Sequence, residues 1–203
     1  MNLQGKTALI TGASRGIGRA ISLELARQQL RCLILVARNP DRLATVAAEV
    51  EAWGVREIVL PLDLTQPIEV NVAIARAWRN HGPIDLLINC AGVSHQIPFL
   101  ESRLPHMQSE IATNLVGLYT VTRQIARRMA VYRQGHIVNV SSLMGKVAAP
   151  TMATYSATKF AILGFSQALR GELAPYNVGV TALLPSPVSY THLRAHETEA
   201  ELV

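Results

Sequence analysis

The chain has 203 residues, 49% of them apolar and 16% charged, which is long enough to bury a substantial core and too apolar for a disordered chain. Its two cysteines, Cys32 and Cys90, sit inside apolar runs and offer no disulfide framework, so they read as buried free thiols in a reducing compartment. The net charge is +5, but the arginines are spread along the chain, and the small cluster Arg127, Arg128 and Arg133 belongs to no basic stripe interleaved with aromatics; nucleic acid is not expected as a partner.

The longest apolar run, Cys32 to Ala37, is six residues, against the roughly 20 that a membrane-spanning helix needs. The N-terminal MNLQGKTALITG lacks the basic, then long-apolar, then small-residue order of a signal peptide. A cytoplasmic protein with no membrane partner is the expectation.

Taken in chain order, short β-branched runs alternate with segments of helical period. The predicted elements are a strand at Thr7–Thr11, a helix at Gly16–Gln28, a strand at Cys32–Ala37 and a helix at Asp41–Trp53 opened by Asn39 and Pro40. A strand at Ile58–Leu62, a helix at Pro67–Asn80 and a strand at Leu86–Cys90 follow. One long helix is expected over Pro105–Arg133, then a strand at His136–Ser141, a helix at Ala153–Leu173 and a strand at Val178–Leu184. Such alternation implies parallel strands joined by right-handed helical crossovers, the doubly wound α/β class, with six strands in one sheet. In this class ligands bind beyond the carboxyl ends of the strands, where strand order reverses.

The residues after each strand are therefore the candidates. Thr11-Gly12-Ala13-Ser14-Arg15-Gly16-Ile17-Gly18 follows the first strand, and glycines there permit a tight turn, close approach of main-chain N–H groups to a pyrophosphate and close packing of the new helix. Ala37-Arg38-Asn39 follows the second. An acidic residue would suit free ribose hydroxyls, whereas Arg38, with Arg15 as a second cation, suits an adenosine 2′-phosphate; NADP is expected and NAD is the less favoured alternative. Asp63-Leu64 ends the third strand and Asn89-Cys90-Ala91-Gly92 the fourth. Asn114 lies in the long helix, Ser142 follows the fifth strand, and Tyr155 and Lys159 lie four apart on one helix face. A phenol is a weak acid–base group at neutral pH, but a neighbouring ammonium favours its anion and draws it toward the working range.

In these residues the chain resembles the short-chain dehydrogenase/reductase family, from about Gly5 to Val188. The resemblance implies a Rossmann-type NAD(P)-binding catalytic domain over residues 1–188 and hydride transfer between NADP(H) and a carbonyl or secondary alcohol, a 3-oxoacyl group included. It further implies that Tyr155 is the proton donor or acceptor, that Ser142 orients the substrate oxygen, and that Lys159 holds the nicotinamide ribose and assists Tyr155. Asn114 would keep a water in a proton relay, its helix locally distorted to free a carbonyl. Gly12, Ser14, Arg15, Gly16, Ile17, Gly18, Arg38, Asp63, Leu64, Asn89, Ala91, Gly92, Pro185 and Val188 would line the cofactor, Asp63 at the adenine. Ser94, His95, Gln96, Leu143, Met144 and Met152 would form the wall for a small-molecule substrate. A homodimer through the Asn114 and Tyr155 helices is expected.

The departure from the family lies at the end. Where members carry Pro-Gly and then a threonine, this chain has Pro185-Ser186-Pro187-Val188-Ser189-Tyr190-Thr191, and the family's substrate lid and seventh strand have no counterpart. Ser189 to Val203 reads as a tail of foreign origin, of the kind a translated sequencing adapter produces at the broken end of a gene fragment. Truncation of this kind leaves an alternative function, a nucleotide-binding fragment without turnover. His192 and His196 are four apart, but no carboxylate-rich partner accompanies them and no metal is expected.

Overall fold

The computed structural model describes residues 3–186; Val188 and the tail expected over 189–203 lie outside the described residues. Six strands form one parallel sheet: β1 (Thr7–Thr11), β2 (Cys32–Ala37), β3 (Arg56–Pro61), β4 (Leu86–Asn89), β5 (Gly135–Val140) and β6 (Val178–Leu183). Their order is β3-β2-β1-β4-β5-β6. The helices are α1 (Gly16–Arg27), α2 (Pro40–Glu51), α3 (Pro67–His81), α4 (Leu104–Ile111), α5 (Leu118–Tyr132) and α6 (Ala153–Leu173). None among the described residues is long and apolar enough to cross a membrane.

The central strands are apolar at consecutive positions because each face of the sheet meets its own helix layer. Leu9, Ile34, Leu87 and Ile137 pack with Ile74 of α3 and with Val121, Ile125 and Met129 of α5. Their neighbours Ala8, Ile10, Leu33, Leu35 and Ile88 pack on the opposite face with Leu25 of α1 and Val46 and Val50 of α2. Each fully buried Leu or Ile contributes about 2 kcal/mol of transfer free energy, so the two layers supply most of the driving force for the fold. At the edge, β3 begins at Arg56, two residues before the apolar run, since one open flank tolerates charged side chains. Local signals set the helix starts: Asn39 Oδ1 accepts a hydrogen bond from the Arg42 N–H at 2.9 Å, and Pro40 occupies the first turn.

The long helix expected over Pro105–Arg133 is divided. Between α4 and α5, residues Ala112–Gly117 form a π-helical turn. Such a turn adds about one residue without ending the helix, so the apolar period continues across it and gives no break to read. Gly117 sits where the widened turn meets the segment after β3: a β-carbon there would lie 2.7 Å from Leu64 Cβ.

At the carboxyl end of the sheet, Thr11 of β1 pairs with Asn89 of β4. The chain leaves β1 toward β2 on one side and enters β4 on the other, so a crevice opens between their carboxyl ends.

Candidate active site

The crevice floor is built by the first turn. Thr11 Oγ1 accepts hydrogen bonds from the N–H groups of Cys90 and Ala91 at 3.1 and 3.2 Å, tying the end of β4 to the end of β1. Gly12 then turns with φ +71°, and a β-carbon on it would lie 2.8 Å from the Ala91 main chain. Gly18 packs so closely on the Gly12 carbonyl that no side chain fits between them. These two close approaches, rather than a general need for flexibility, are why glycine occupies both positions. α1 starts directly behind, with Arg15 as an extended, exposed N-cap that makes no side-chain capping bond and with no acidic residue in the first turn. Its N-terminal amides and dipole therefore favour an anion. Ser14 and Ile17 are half-buried in the same turn, and Arg38 is exposed just beyond β2.

On the other side, α6 presents Tyr155 and Lys159. Lys159 is 4% exposed; its Nζ donates to the Val140 carbonyl at 3.1 Å and lies 5.4 Å from the centroid of the Tyr155 ring. Burial pushes the ammonium down to about 8, with Cys90 opposing the shift. A β-carbon on Gly92 would touch both Asn114 Oδ1, at 3.4 Å, and Lys159 Nζ, at 3.6 Å, so the three residues meet at one point. Asn114 is fully buried in the π turn. Its Nδ2 donates to Thr158 Oγ1 at 3.1 Å, and Thr158 Oγ1 donates to the Tyr155 carbonyl at 2.7 Å. Ser142 caps the short turn Leu143–Gly145, its Oγ accepting from the Met144 N–H at 3.1 Å. Its neighbour Ser141 donates to the Lys159 carbonyl at 2.8 Å, which fixes the end of β5 against α6. Pro185 accepts from the Leu143 N–H at 2.9 Å and closes the crevice from the β6 side.

The remaining expected residues are placed less directly. Asp63 Oδ1 accepts from both the N–H and the hydroxyl of Thr65 at 2.9 Å, a turn-stabilising use of the carboxylate at the entry to α3, and Leu64 is buried under Gly117. Asn89 is 2% exposed, and its amide donates to Thr122 and Asn139 at 2.8 and 2.9 Å; its side chain lies in the interior, while Ala91 and Gly92 carry the main chain past the crevice. Cys90, where the resemblance expects a second asparagine, is a neutral thiol, since burial pushes it up to about 11. Thr11 opens the glycine turn singled out in the sequence, but its bonds to the end of β4 depend on strand register, and Thr158 joins the site without a signal of its own, because a threonine inside a helix is locally unremarked.

Known proteins resemble this chain over most of its length. The family model described as short chain dehydrogenase matches residues 6–202. A 3-oxoacyl-[acyl-carrier-protein] reductase, FabG, from Aquifex aeolicus is 36% identical over 186 residues, which span 91% of this chain and 75% of that protein. Among solved structures, an NAD+-bound xylitol dehydrogenase superposes with a TM-score of 0.89 at 29% identity, covering 100% of this chain and 78% of its own. A metagenomic short-chain oxidoreductase in complex with NADP superposes with a TM-score of 0.86 at 33% identity, covering 93% and 85%. Fold and site define an oxidoreductase that moves hydride between a nicotinamide dinucleotide and a carbonyl or secondary alcohol carbon. The chain belongs to the short-chain dehydrogenase family.

Proposed function

We propose that the protein is an NADPH-dependent carbonyl reductase acting on a ketone or aldehyde, a 3-oxoacyl group among them. The observation that carries this reading is the buried Lys159 ammonium beside the Tyr155 ring, facing Gly92 across the crevice from the glycine turn. The residues present fit a dinucleotide. Gly12 and Gly18 leave main chain where side chains would intrude, and the uncapped start of α1 favours a pyrophosphate. Gly12, Ser14, Gly16, Ile17 and Gly18 would hold that group, Arg15 and Arg38 the 2′-phosphate, Asp63 and Leu64 the adenine end, and Ala91, Gly92 and Pro185 the flank, with Asn89 anchoring that strand end from the interior. Lys159 would hold the nicotinamide ribose. When bound, the nicotinamide supplies the hydride for reduction or takes it up in oxidation.

The chain's own residues handle the oxygen. Ser142 Oγ and Tyr155 Oη donate hydrogen bonds to the carbonyl oxygen, and Tyr155 passes its proton to that oxygen as the carbon gains hydride. The Lys159 ammonium stabilises the phenolate left behind, because an opposite charge close by favours the ionised form. Asn114, locked to Thr158 in the π turn, holds the relay that returns a proton to this pair. The name of the Aquifex relative and the NADP in the metagenomic neighbour support the cofactor and substrate class, while the NAD+ of the xylitol dehydrogenase keeps the cofactor choice in need of its own test.

That test is at β2. Arg38→Asp places a carboxylate where a 2′-phosphate would lie; kcat/KM for NADPH should fall about a hundredfold and that for NADH should rise. An unchanged NADPH preference would remove Arg38 from the cofactor site.

The protein acts as a homodimer in this reading. Val116, Tyr119 and Phe160 are exposed on the π turn, α5 and α6, and the Tyr119 and Phe165 rings, 4.6 Å apart between centroids, bring α5 and α6 together into one apolar face. Sedimentation velocity should give twice the chain mass, and a monomer at micromolar concentration would contradict the pairing.

A further inference from the structure

One helix face carries three polar residues at intervals of four, His106, Glu110 and Asn114, and all three contact the same short segment after β4. Asn114 grips Val93 at both ends of its main chain: Oδ1 accepts from the Val93 N–H at 2.8 Å and Nδ2 donates to the Val93 carbonyl at 2.9 Å. One turn earlier, Glu110 Oε1 accepts from the His95 N–H at 2.6 Å. One turn earlier again, the His106 ring stacks on the His95 ring, with centroids 4.9 Å apart and planes at 28°. In extended chain the main-chain groups of alternate residues face the same way, so a helix face with this spacing can hold positions 93 and 95 together. The next residue in that register, Ile97, donates its N–H to the Thr151 carbonyl at 3.1 Å, joining the segment to the loop that leads into α6 just before Tyr155.

We infer that Glu110, with His106, is a positioning residue for the substrate wall at Val93–His95, setting its distance from Tyr155 through the main chain of His95. The inference rests on the oxidoreductase reading of the site and adds to it a device outside the residues that touch cofactor or reacting atoms. Glu110 is 2% exposed, and a carboxylate in such a place is costly unless it is hydrogen-bonded. A charge-assisted bond of 2.6 Å to a main-chain N–H fixes a loop more tightly than packing alone. Ser94 Oγ and His95 Nε2 of this segment, and His106 Nδ1 of α4 beside it, are buried with no hydrogen-bond partner, so the main-chain bonds to Glu110 and Asn114, rather than the segment's own polar side chains, hold it in place.

The test uses the full chain with saturating NADPH, a phenyl-substituted 3-oxo ester as the large substrate and 2,3-butanedione as the small one. Glu110→Leu should raise KM for the ester about tenfold, with kcat, NADPH affinity and 2,3-butanedione turnover changed by about twofold at most. Glu110→Gln, whose amide oxygen still accepts from the His95 N–H, should restore KM to within about twofold of the parent, and His106→Ala should raise it about threefold. Unchanged KM in Glu110→Leu, or a Glu110→Gln variant as impaired as Glu110→Leu, would overturn the inference, as would parallel loss of kcat and NADPH binding. If Glu110→Leu does not fold, His106→Ala decides: an unchanged KM overturns the inference and the raised value supports it. Proton NMR of the His95 ring separates the clamp from the chemistry. Its resonances should move in Glu110→Leu and His106→Ala and stay in Glu110→Gln, even in a chain that turns over no carbonyl, and absence of turnover in the parent would count against the functional reading alone.

Discussion

Tyr155→Phe should lower carbonyl reduction by about a thousandfold, some 4 kcal/mol in barrier height, while leaving NADPH affinity unchanged. The substitution removes one oxygen from a ring that is held by α6 and faces Lys159, so packing and the cofactor face are preserved and only the proton donor is lost. Steady-state rates with a reactive diketone, beside NADPH fluorescence titration, measure the two quantities separately. Turnover within tenfold of the parent would place the acid–base role on another group. NADPH binding without any turnover in the parent chain would instead favour the nucleotide-binding alternative.

Lys159→Met should have two opposite consequences. Activity should fall at least a hundredfold, because the charge that stabilises the Tyr155 phenolate is gone. Stability of the cofactor-free chain at pH 7 should rise. A buried lysine whose ammonium titrates at about 8 instead of 10.5 costs about 3 kcal/mol when charged, by the usual conversion of such a shift. Loss of the bond to the Val140 carbonyl takes back about 1 kcal/mol, leaving a net gain of about 2. The sign with pH follows from proton uptake. Between about 8 and 10.5 the unfolded chain holds the Lys159 proton and the folded chain does not, so the parent gains stability as pH rises through that window. The penalty is complete below the window and absent above it. Urea unfolding of parent and Lys159→Met at pH 7, 9 and 10.5 should show the gap between them closing upward, and a constant gap would mean that Lys159 titrates normally. A group that weakens the fold and yet sits at the centre of the site is explained by function, since at pH 7 it remains charged in about nine of ten molecules.

How much of this was legible depended on which residues report locally. The β1 and β2 strands stand where their apolar runs begin and end, since a strand covered on both faces leaves no ambiguity between inward and outward positions. The glycine turn was legible because φ > 0 and main-chain contact exclude other residues. Tyr155 and Lys159 were legible because helical spacing alone puts them side by side. Asn89 shows where local reading stops. It stands at a strand end, as a ligand-lining residue would, but it shares sheet parity with Leu87, which faces the α3–α5 layer, so its amide meets Thr122 and, across the register, Asn139. Asp63 likewise serves Thr65, a partner two residues away whose bond composition does not announce. The π turn leaves no mark in the apolar stripe, which one added residue keeps continuous, so the local distortion expected at Asn114 came from the family resemblance and not from the periodicity.

By itself, then, the sequence determined the parallel α/β architecture and the first-turn glycines, which follow from periodicity and from residue types tied to a backbone conformation, and it put Tyr155 and Lys159 on one helix face; the roles expected of Ser142 and Asn114 came from the family resemblance. Only the tertiary structure decided that Lys159 is buried to the point of losing its proton near pH 8, that Asn114 and Lys159 meet over Gly92, and that Glu110 and His106 grip the wall beside Tyr155. Those facts depend on contacts between segments far apart in the chain and on the dielectric they create together, and no local pattern of residues carries that information.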